Sequence, residues 1–513
     1  MTSAVLVERP ADTPATAGGA AARRAPRVAT QWLCVGGVTL LALAVRLVHI
    51  GSQSFSMDEI SELTIAHGSL REILWTGDGF PPLYHFLLHG WLKLWGTDAA
   101  ARLLSAIFGA ATIPVVWLIG RQLGGFRGAV ASSLVLALLP LHVYYCQEAR
   151  AYPLYTLLAA TALWLFFRAV ETDQRRDWIP YVLACALGMY THYYFASVVG
   201  LAGVLLLLER RTWPRLRRGL AANAALVTVC LPLAWLLESD LALQTGYFAK
   251  AKFGLAEFAF TYFSMFTGFT LGPSLRDMHV MSNGQIVRAL LPWGATLGAA
   301  VGVLGLGGLL ALSMRWRIRL ILLAVGSVLL LGGVGMLADL GYIVRYSVWA
   351  AIPVVLILAQ GLATMRPRVL ALGCGALLGG AFATAIYNHG YHATYATEDS
   401  RHLAEYLQAS PDRRLPVVVS SGYMTHAVVY YLGDAWTAVH LPNRIDDEPS
   451  LAEADELIER HVRPGQPFWL VYTREFHGDP RGKFLDAARA SYGVSEPAAR
   501  FAGITLYGGQ RAP

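Results

Sequence analysis

Apolar runs of about twenty residues, separated by short polar stretches, dominate the chain from Gln31 to about residue 388. A helix needs about 20 apolar residues to cross the hydrocarbon core of a bilayer. The pattern predicts about eleven crossings, over 31–50, 101–121, 127–146, 152–170, 178–193, 194–209, 219–237, 289–313, 319–338, 346–364 and 368–387. The stretch 178–209 reads as two crossings because Thr191-His192-Tyr193-Tyr194 interrupts it. The segment 81–96 is short and amphipathic, which predicts a helix lying in the interface, and the aromatic-rich run 253–271 is of the same kind. From about Thr394 the pattern becomes that of an ordinary globular chain. Strand-like runs at 416–420, 468–472 and 504–508 alternate with helical patterns at 450–462 and 483–492, predicting a small α/β domain. Residues 1–29 are rich in Ala, Thr and Arg without periodicity and predict a disordered tail. A cleaved leader is not expected, because the first apolar run is long enough to span. The expected organisation is a tail (1–29), an α-helical polytopic domain (30–390) whose outer loop is 51–100, and an α/β domain (394–513).

Composition supports a membrane protein, since 55% of the 513 residues are hydrophobic and only 15% charged. The formal net charge of +7 does not point to nucleic acid, because the basic residues fall in short loops between apolar runs. These are Arg23, Arg24 and Arg27; Arg121 and Arg127; Arg175 and Arg176; Arg210, Arg211, Arg215, Arg217 and Arg218; Arg315, Arg317 and Arg319; Arg366 and Arg368. All lie on one side if the crossings alternate, and the excess of arginine marks that side as cytoplasmic. The expectation is a multi-pass plasma (inner) membrane protein with its N-terminus inside. The outer face then receives 51–100, 147–151, the turn at His192, 238–288, 339–345 and the C-terminal domain. The five cysteines lie in or beside apolar runs and form no CxxC pair, so neither a disulfide framework nor a zinc site is expected.

Ionisable residues at the membrane face are costly and mark function. Four clusters meet on the outer face. Asp58 and Glu59 follow the first crossing. Glu148 and Arg150 occupy a loop too short to be a solvated excursion, beside Tyr152. His192 sits among tyrosines at a tight reversal. Arg345, next to Tyr346, is an isolated cation on the side otherwise poor in arginine. Read one by one, each has a bland alternative, such as a solvated turn, a Glu148–Arg150 ion pair or an aromatic belt. Together they predict one cavity in which carboxylates supply a general base or a metal site, and arginines bind phosphate.

The run Asp58-Glu59, then Phe80-Pro81-Pro82-Leu83-Tyr84 with His89 and Trp91, then Arg102-Leu103-Leu104-Ser105, resembles the start of polyprenyl-phosphate-dependent glycosyltransferases of the GT-C fold. That superfamily includes protein O-mannosyltransferases and lipid A aminoarabinose transferases. Gln147-Glu148-Ala149-Arg150-Ala151-Tyr152, and Arg345-Tyr346 with Pro353, resemble its later motifs, so the resemblance covers about 31–365. It implies that an Asp in the first outer loop, here Asp58, activates the acceptor, and that an acidic residue after the third crossing, here Glu148, shapes the site or binds a metal. Many relatives carry His where this chain has Phe80.

The expected activity is transfer of a sugar, mannose-type in the family's common case, from a polyprenyl-phosphate donor to an extracytoplasmic lipid, polysaccharide or protein. The anomeric carbon inverts, with Asp58 as base and Glu59 and Glu148 beside it. Arg345, Arg150 and Tyr346 would hold the donor phosphate. Tyr84, His85, His192 and Tyr152 would contact substrate, and Asp58 and Glu148 are the candidate ligands for a divalent cation (Mg or Mn). The rival class is a multi-span transporter or lipid flippase, which would show repeats and broken helices near the midplane.

Overall fold

The computed structural model describes residues 28–75, 79–209, 212–247, 253–411, 414–433 and 435–513, with only the backbone of 238–247. The residues 1–27 of the expected tail, and Arg210 and Arg211, lie outside these, while residues 28 and 29 already belong to the first helix.

The transmembrane part starts with α1 (Val28–Leu47). Three short outer helices follow, α2 (Met57–His67), α3 (Leu70–Trp75) and α4 (Leu83–Leu92). Next come α5 (Asp98–Leu138), α6 (Pro140–Cys146), α7 (Tyr152–Thr172), α8 (Arg175–Thr191), α9 (Ala196–Leu208) and α10 (Trp213–Tyr247). The bundle closes with α11 (Leu255–Thr267), α12 (Leu275–Val280), α13 (Asn283–Ala311), α14 (Met314–Leu337), α15 (Ala351–Thr364) and α16 (Arg368–Tyr391). Among the described residues, eight helices are long and apolar enough to cross a membrane. Every expected crossing falls on helix, but eleven requires three additions to those eight. The shorter α8 and α9 must count, and α5 must count twice.

The geometry of α5 supports counting it twice. At Gly124 and Gly125 the backbone leaves helical values, and Gly125 takes a φ of +60° that suits glycine. Beyond the break the chain folds back, since a Cβ on Gly128 would lie 2.7 Å from the Gly120 carbonyl oxygen. Glycines also let α13 and α15 touch, with Gly308 against the Ile357 carbonyl and Gly361 against that of Leu304. Close backbone approach of this kind is how membrane helices gain packing without a hydrophobic drive between them. At the arginine-rich end, Glu209 pairs with Arg315 and the buried Arg319, joining α9 to α14.

The C-terminal domain contains α17 (Ser400–Ala409), α18 (Thr425–Leu432), α19 (Glu448–His461), α20 (Glu475–Gly478) and α21 (Lys483–Tyr492) around a five-stranded sheet. The strands are β1 (Val417–Val419), β2 (Ala438–His440), β3 (Pro467–Thr473), β4 (Pro497–Phe501) and β5 (Ile504–Gln510), in the order β2-β1-β3-β5-β4. β2, β1 and β3 are parallel, and β5 and β4 add antiparallel. The expected strands correspond to β1, β3 and β5. β2 and β4 are the outer strands of the sheet, and their alternate exposed residues gave no continuous apolar run.

The domain docks on the segment between α1 and α5. Asp399 accepts from Ser54 at 2.8 Å, Arg401 pairs with Asp98 at 2.6 Å, and the Tyr431 hydroxyl accepts from the Phe55 N–H at 2.8 Å. These contacts hold 53–55, the segment that leads into α2, from the water side.

Candidate active site

The site begins with the start of α2. Ser56 caps it through a capping box with Glu59, so Asp58 sits in the first turn, where a helix favours negative charge. Asp58 and Glu62 are one turn apart and therefore share a face. Arg345 pairs with the Asp58 carboxylate from 287 positions away, immediately before α15. Arg150 donates to the Asp58 carbonyl at 2.9 Å and pairs with Glu62 at 3.2 Å, and Glu62 pairs with His85 at 2.7 Å. The Asp58 side chain keeps 42% of its exposure, whereas Arg150 and Glu62 are buried. Asp58 is thus the carboxylate of this group that a ligand can reach.

Glu59 has a different task. It forms a two-pronged pair with Arg102, at 2.7 and 2.9 Å, and accepts from the N–H groups of Ala149 and Ser56. Arg102 also donates to the carbonyls of Ile50, Gln53 and Ser54. With 1% exposure, Glu59 has no free face for a substrate. Its bonds fasten α2 to α5 and to the 147–151 loop.

Glu148 lies on that loop, in a cleft with Tyr144, Gln147, His389 and Thr397. It does not pair with Arg150, whose carboxylate partner is Glu62. Burial, then the charges of Glu59 and Asp58, push the Glu148 carboxyl up to about 8, against the pull of Arg150 and Arg345. It therefore holds its proton at neutral pH. For Asp58, burial opposes ionisation, but Arg345 and Arg150 outweigh it and keep the carboxyl well below the usual range. The two acids are driven apart, a mark of functional carboxylates.

Aromatic side chains wall the site. Arg345 lies 5.9 Å from the Tyr152 ring and 5.8 Å from that of Tyr346, which stacks on Tyr194 at 4.2 Å. Phe80 faces Arg150 at 5.5 Å and His192 at 4.9 Å. His192 stacks on Tyr155 and is 1% exposed, and burial together with Arg150 and Arg345 lowers it to about 3. It is a neutral wall residue. Tyr84 and His85, expected as substrate contacts, lie one layer back. The Tyr84 hydroxyl meets Ser105 at 2.9 Å, Ser105 bonds the Arg150 carbonyl, and His85 is buried against Glu62. Among the described residues no three His, Cys, Asp or Glu side chains gather into one group, and the two carboxylates expected as cation ligands are Asp58 and Glu148.

The sequence alone did not single out Glu62, His142 or Arg46. Glu62 was legible from its spacing to Asp58. Arg46 is fully buried in α1 and donates to the carbonyls of Ala42 and Ala137 and to His142 at 2.7 Å. The helix breaks between Ala137 and Pro140, which frees the Ala137 carbonyl, and Arg46 satisfies it. It thereby seats α6, which leads into Glu148.

Residues 80–236 match the family model of dolichyl-phosphate-mannose-protein mannosyltransferases. No curated protein matches by sequence. In structure the chain is similar to ArnT from Cupriavidus metallidurans in the apo state, with a TM-score of 0.56 and 15% identity, covering 94% of this chain and 98% of ArnT. ArnT bound to undecaprenyl phosphate gives a TM-score of 0.54 at 15% identity, with the same coverage. The apo oligosaccharyltransferase of Archaeoglobus fulgidus gives 0.56 at 12% identity, covering 88% of this chain and 70% of that one. The fold is that of membrane glycosyltransferases. The likeness is one of fold: the chain shares the GT-C fold of these structures, and its segment 80–236 matches the family model.

Proposed function

We propose that the chain transfers a sugar from a polyprenyl-phosphate donor to a hydroxyl acceptor on the extracytoplasmic face, with Asp58 as general base. The observation that carries this reading is the accessible Asp58 carboxylate held against Arg345, with Arg150 on the backbone of the same residue. The acceptor O–H proton passes to Asp58 as the acceptor oxygen attacks the anomeric carbon. The bond from that carbon to the phosphate oxygen breaks, and the anomeric centre inverts. Polyprenyl phosphate leaves with its charge held by Arg345, whose planar fork suits phosphate. Phosphate is a good leaving group, so no general acid is required. Glu148, protonated at neutral pH, donates a hydrogen bond to the donor.

The resting ion pair makes Asp58 a weak base. A donor phosphate that takes over Arg345 releases Asp58 and raises its basicity, so the base becomes competent only when the donor is present. Glu59 positions α2, and Tyr152, Tyr346 and His192 form the walls. The sugar is mannose-type in the simplest reading of the matched family model, and the acceptor is a lipid, polysaccharide or protein. ArnT, a similar structure, has been captured with undecaprenyl phosphate, which supports a lipid-phosphate donor. Against transport, the site charges gather at one end of the bundle, and at the other Glu209 is paired with Arg315 and Arg319. The test is transfer from radiolabelled polyprenyl-phosphate mannose to cell-envelope acceptors by purified protein. Transfer by the wild type and its loss in Asp58→Asn are expected. Equal transfer by both removes Asp58 from the base role.

A further inference from the structure

At the end of the bundle away from Asp58, α8 and α10 flank a groove of about 450 Å³. α8 runs from Arg175 at the groove to Thr191 beside the active-site turn, a rise of roughly 25 Å for its 17 residues. The groove is therefore distinct from the transfer site. Ile179 and Leu183 form its apolar side and are 62% and 60% exposed. Small residues of α10, among them Ala222, keep it open. Arg175, Arg217 and Arg218 ring its polar end.

The charges there do not cancel. Arg218 is taken by Asp173 at 2.8 Å, and Asp177 is bonded to Thr172 at 2.6 Å with Arg168 nearby. Arg175 and Arg217 are exposed and, among the described residues, no carboxylate pairs with either. A second observation comes from Trp178, which lines the groove and is 4% exposed, yet among the described residues its indole N–H has no acceptor. A donor without an acceptor, two cations without counterions and an apolar wall together form one amphipathic cleft. They match the phosphate, ester oxygens and acyl chains of an anionic lipid, the ligand that basic clefts between membrane helices take up.

We propose that the groove between α8 and α10 binds an anionic phospholipid, with its phosphate between Arg175 and Arg217 and its acyl chains along Ile179, Leu183 and Ala222. The site does not depend on the transfer reaction. Native mass spectrometry of the full-length protein in detergent, titrated with phosphatidylglycerol or phosphatidylcholine, tests it. Each arginine near an anionic headgroup contributes about a fivefold factor, so Arg175→Gln with Arg217→Gln is expected to weaken phosphatidylglycerol binding roughly 25-fold. Phosphatidylcholine binding is expected to be weaker in the wild type and equal in both proteins. If the double variant does not match the wild-type thermal melt, the two single variants carry the test, each losing about fivefold. Unchanged phosphatidylglycerol binding in the variants overturns the proposal. So does phosphatidylcholine binding to the wild type as tightly as phosphatidylglycerol, or displacement by polyprenyl phosphate alone.

Discussion

Asp58→Asn is expected to move turnover and donor binding in opposite directions. The substitution keeps the shape and removes the charge. Loss of a general base costs typically 10²–10⁴-fold in rate, so kcat falls by about that factor. The same change frees Arg345 from its carboxylate partner. A charge-assisted bond contributes about 1.5–3 kcal/mol when buried. The Asp58 side chain is 42% exposed, so solvent screening reduces this to about 0.5–1 kcal/mol. The competition for Arg345 is relieved by that amount, and the variant binds polyprenyl phosphate about two- to fivefold more tightly. Single-turnover transfer gives the rate, and fluorescence titration with a polyprenyl phosphate gives the affinity. If turnover survives, Asp58 is not the base. If affinity falls in step with turnover, Arg345 does not exchange Asp58 for phosphate, and the coupling of donor arrival to base release is wrong.

Arg345→Gln should weaken polyprenyl-phosphate binding by roughly 10- to 100-fold in the same titration, because it removes a charged phosphate partner. Glu59→Ala should lower the thermal melt, by about 3–5 kcal/mol, because it leaves Arg102 buried and uncompensated; Asp58→Asn should leave the melt nearly unchanged. Glu148 sets a pH dependence. Burial pushes its folded carboxyl up to about 8 from the ordinary 4.5, so the folded protein keeps a proton that the unfolded chain releases. Stability is therefore expected to decline as pH rises from about 4.5 to about 8, and transfer to fall above about 8; Glu148→Gln should flatten both profiles. In Gly109→Ala, the new methyl collides with Cys146, with Arg46 only 3.1 Å away, and a melt lowered by about 1–3 kcal/mol is expected.

The helices were legible because apolar length is a direct consequence of bilayer thickness, and the arginines of alternate loops gave the sidedness reading. The hairpin within α5 was visible as two runs, since Gly124 and Gly125 separate them in sequence. The site was legible in part, because charges at the edges of apolar runs stand out. What the sequence could not give was pairing. Asp58 and Glu59 are adjacent and alike, yet one faces the cavity and the other is fastened to Arg102, because successive residues of a helix point about 100° apart. Glu148 and Arg150 invite a local ion pair, but the turn directs Arg150 to Glu62. Arg46 was hidden inside the first crossing, where its role depends on the distant break at Pro140. Tyr84 and His85 sit beside the Pro-Pro motif, but α4 turns them toward the core.

The pairing of Asp58 with Arg345 also bears on how the protein is made. The two partners are 287 positions apart, so α2 leaves the ribosome long before its cation is synthesised. During insertion the carboxylate waits in an unfinished pocket, without the guanidinium that pairs with it in the folded chain. A chain interrupted before Arg345 would leave Asp58 without its cation, so this pocket is completed only when most of the helical bundle has been made.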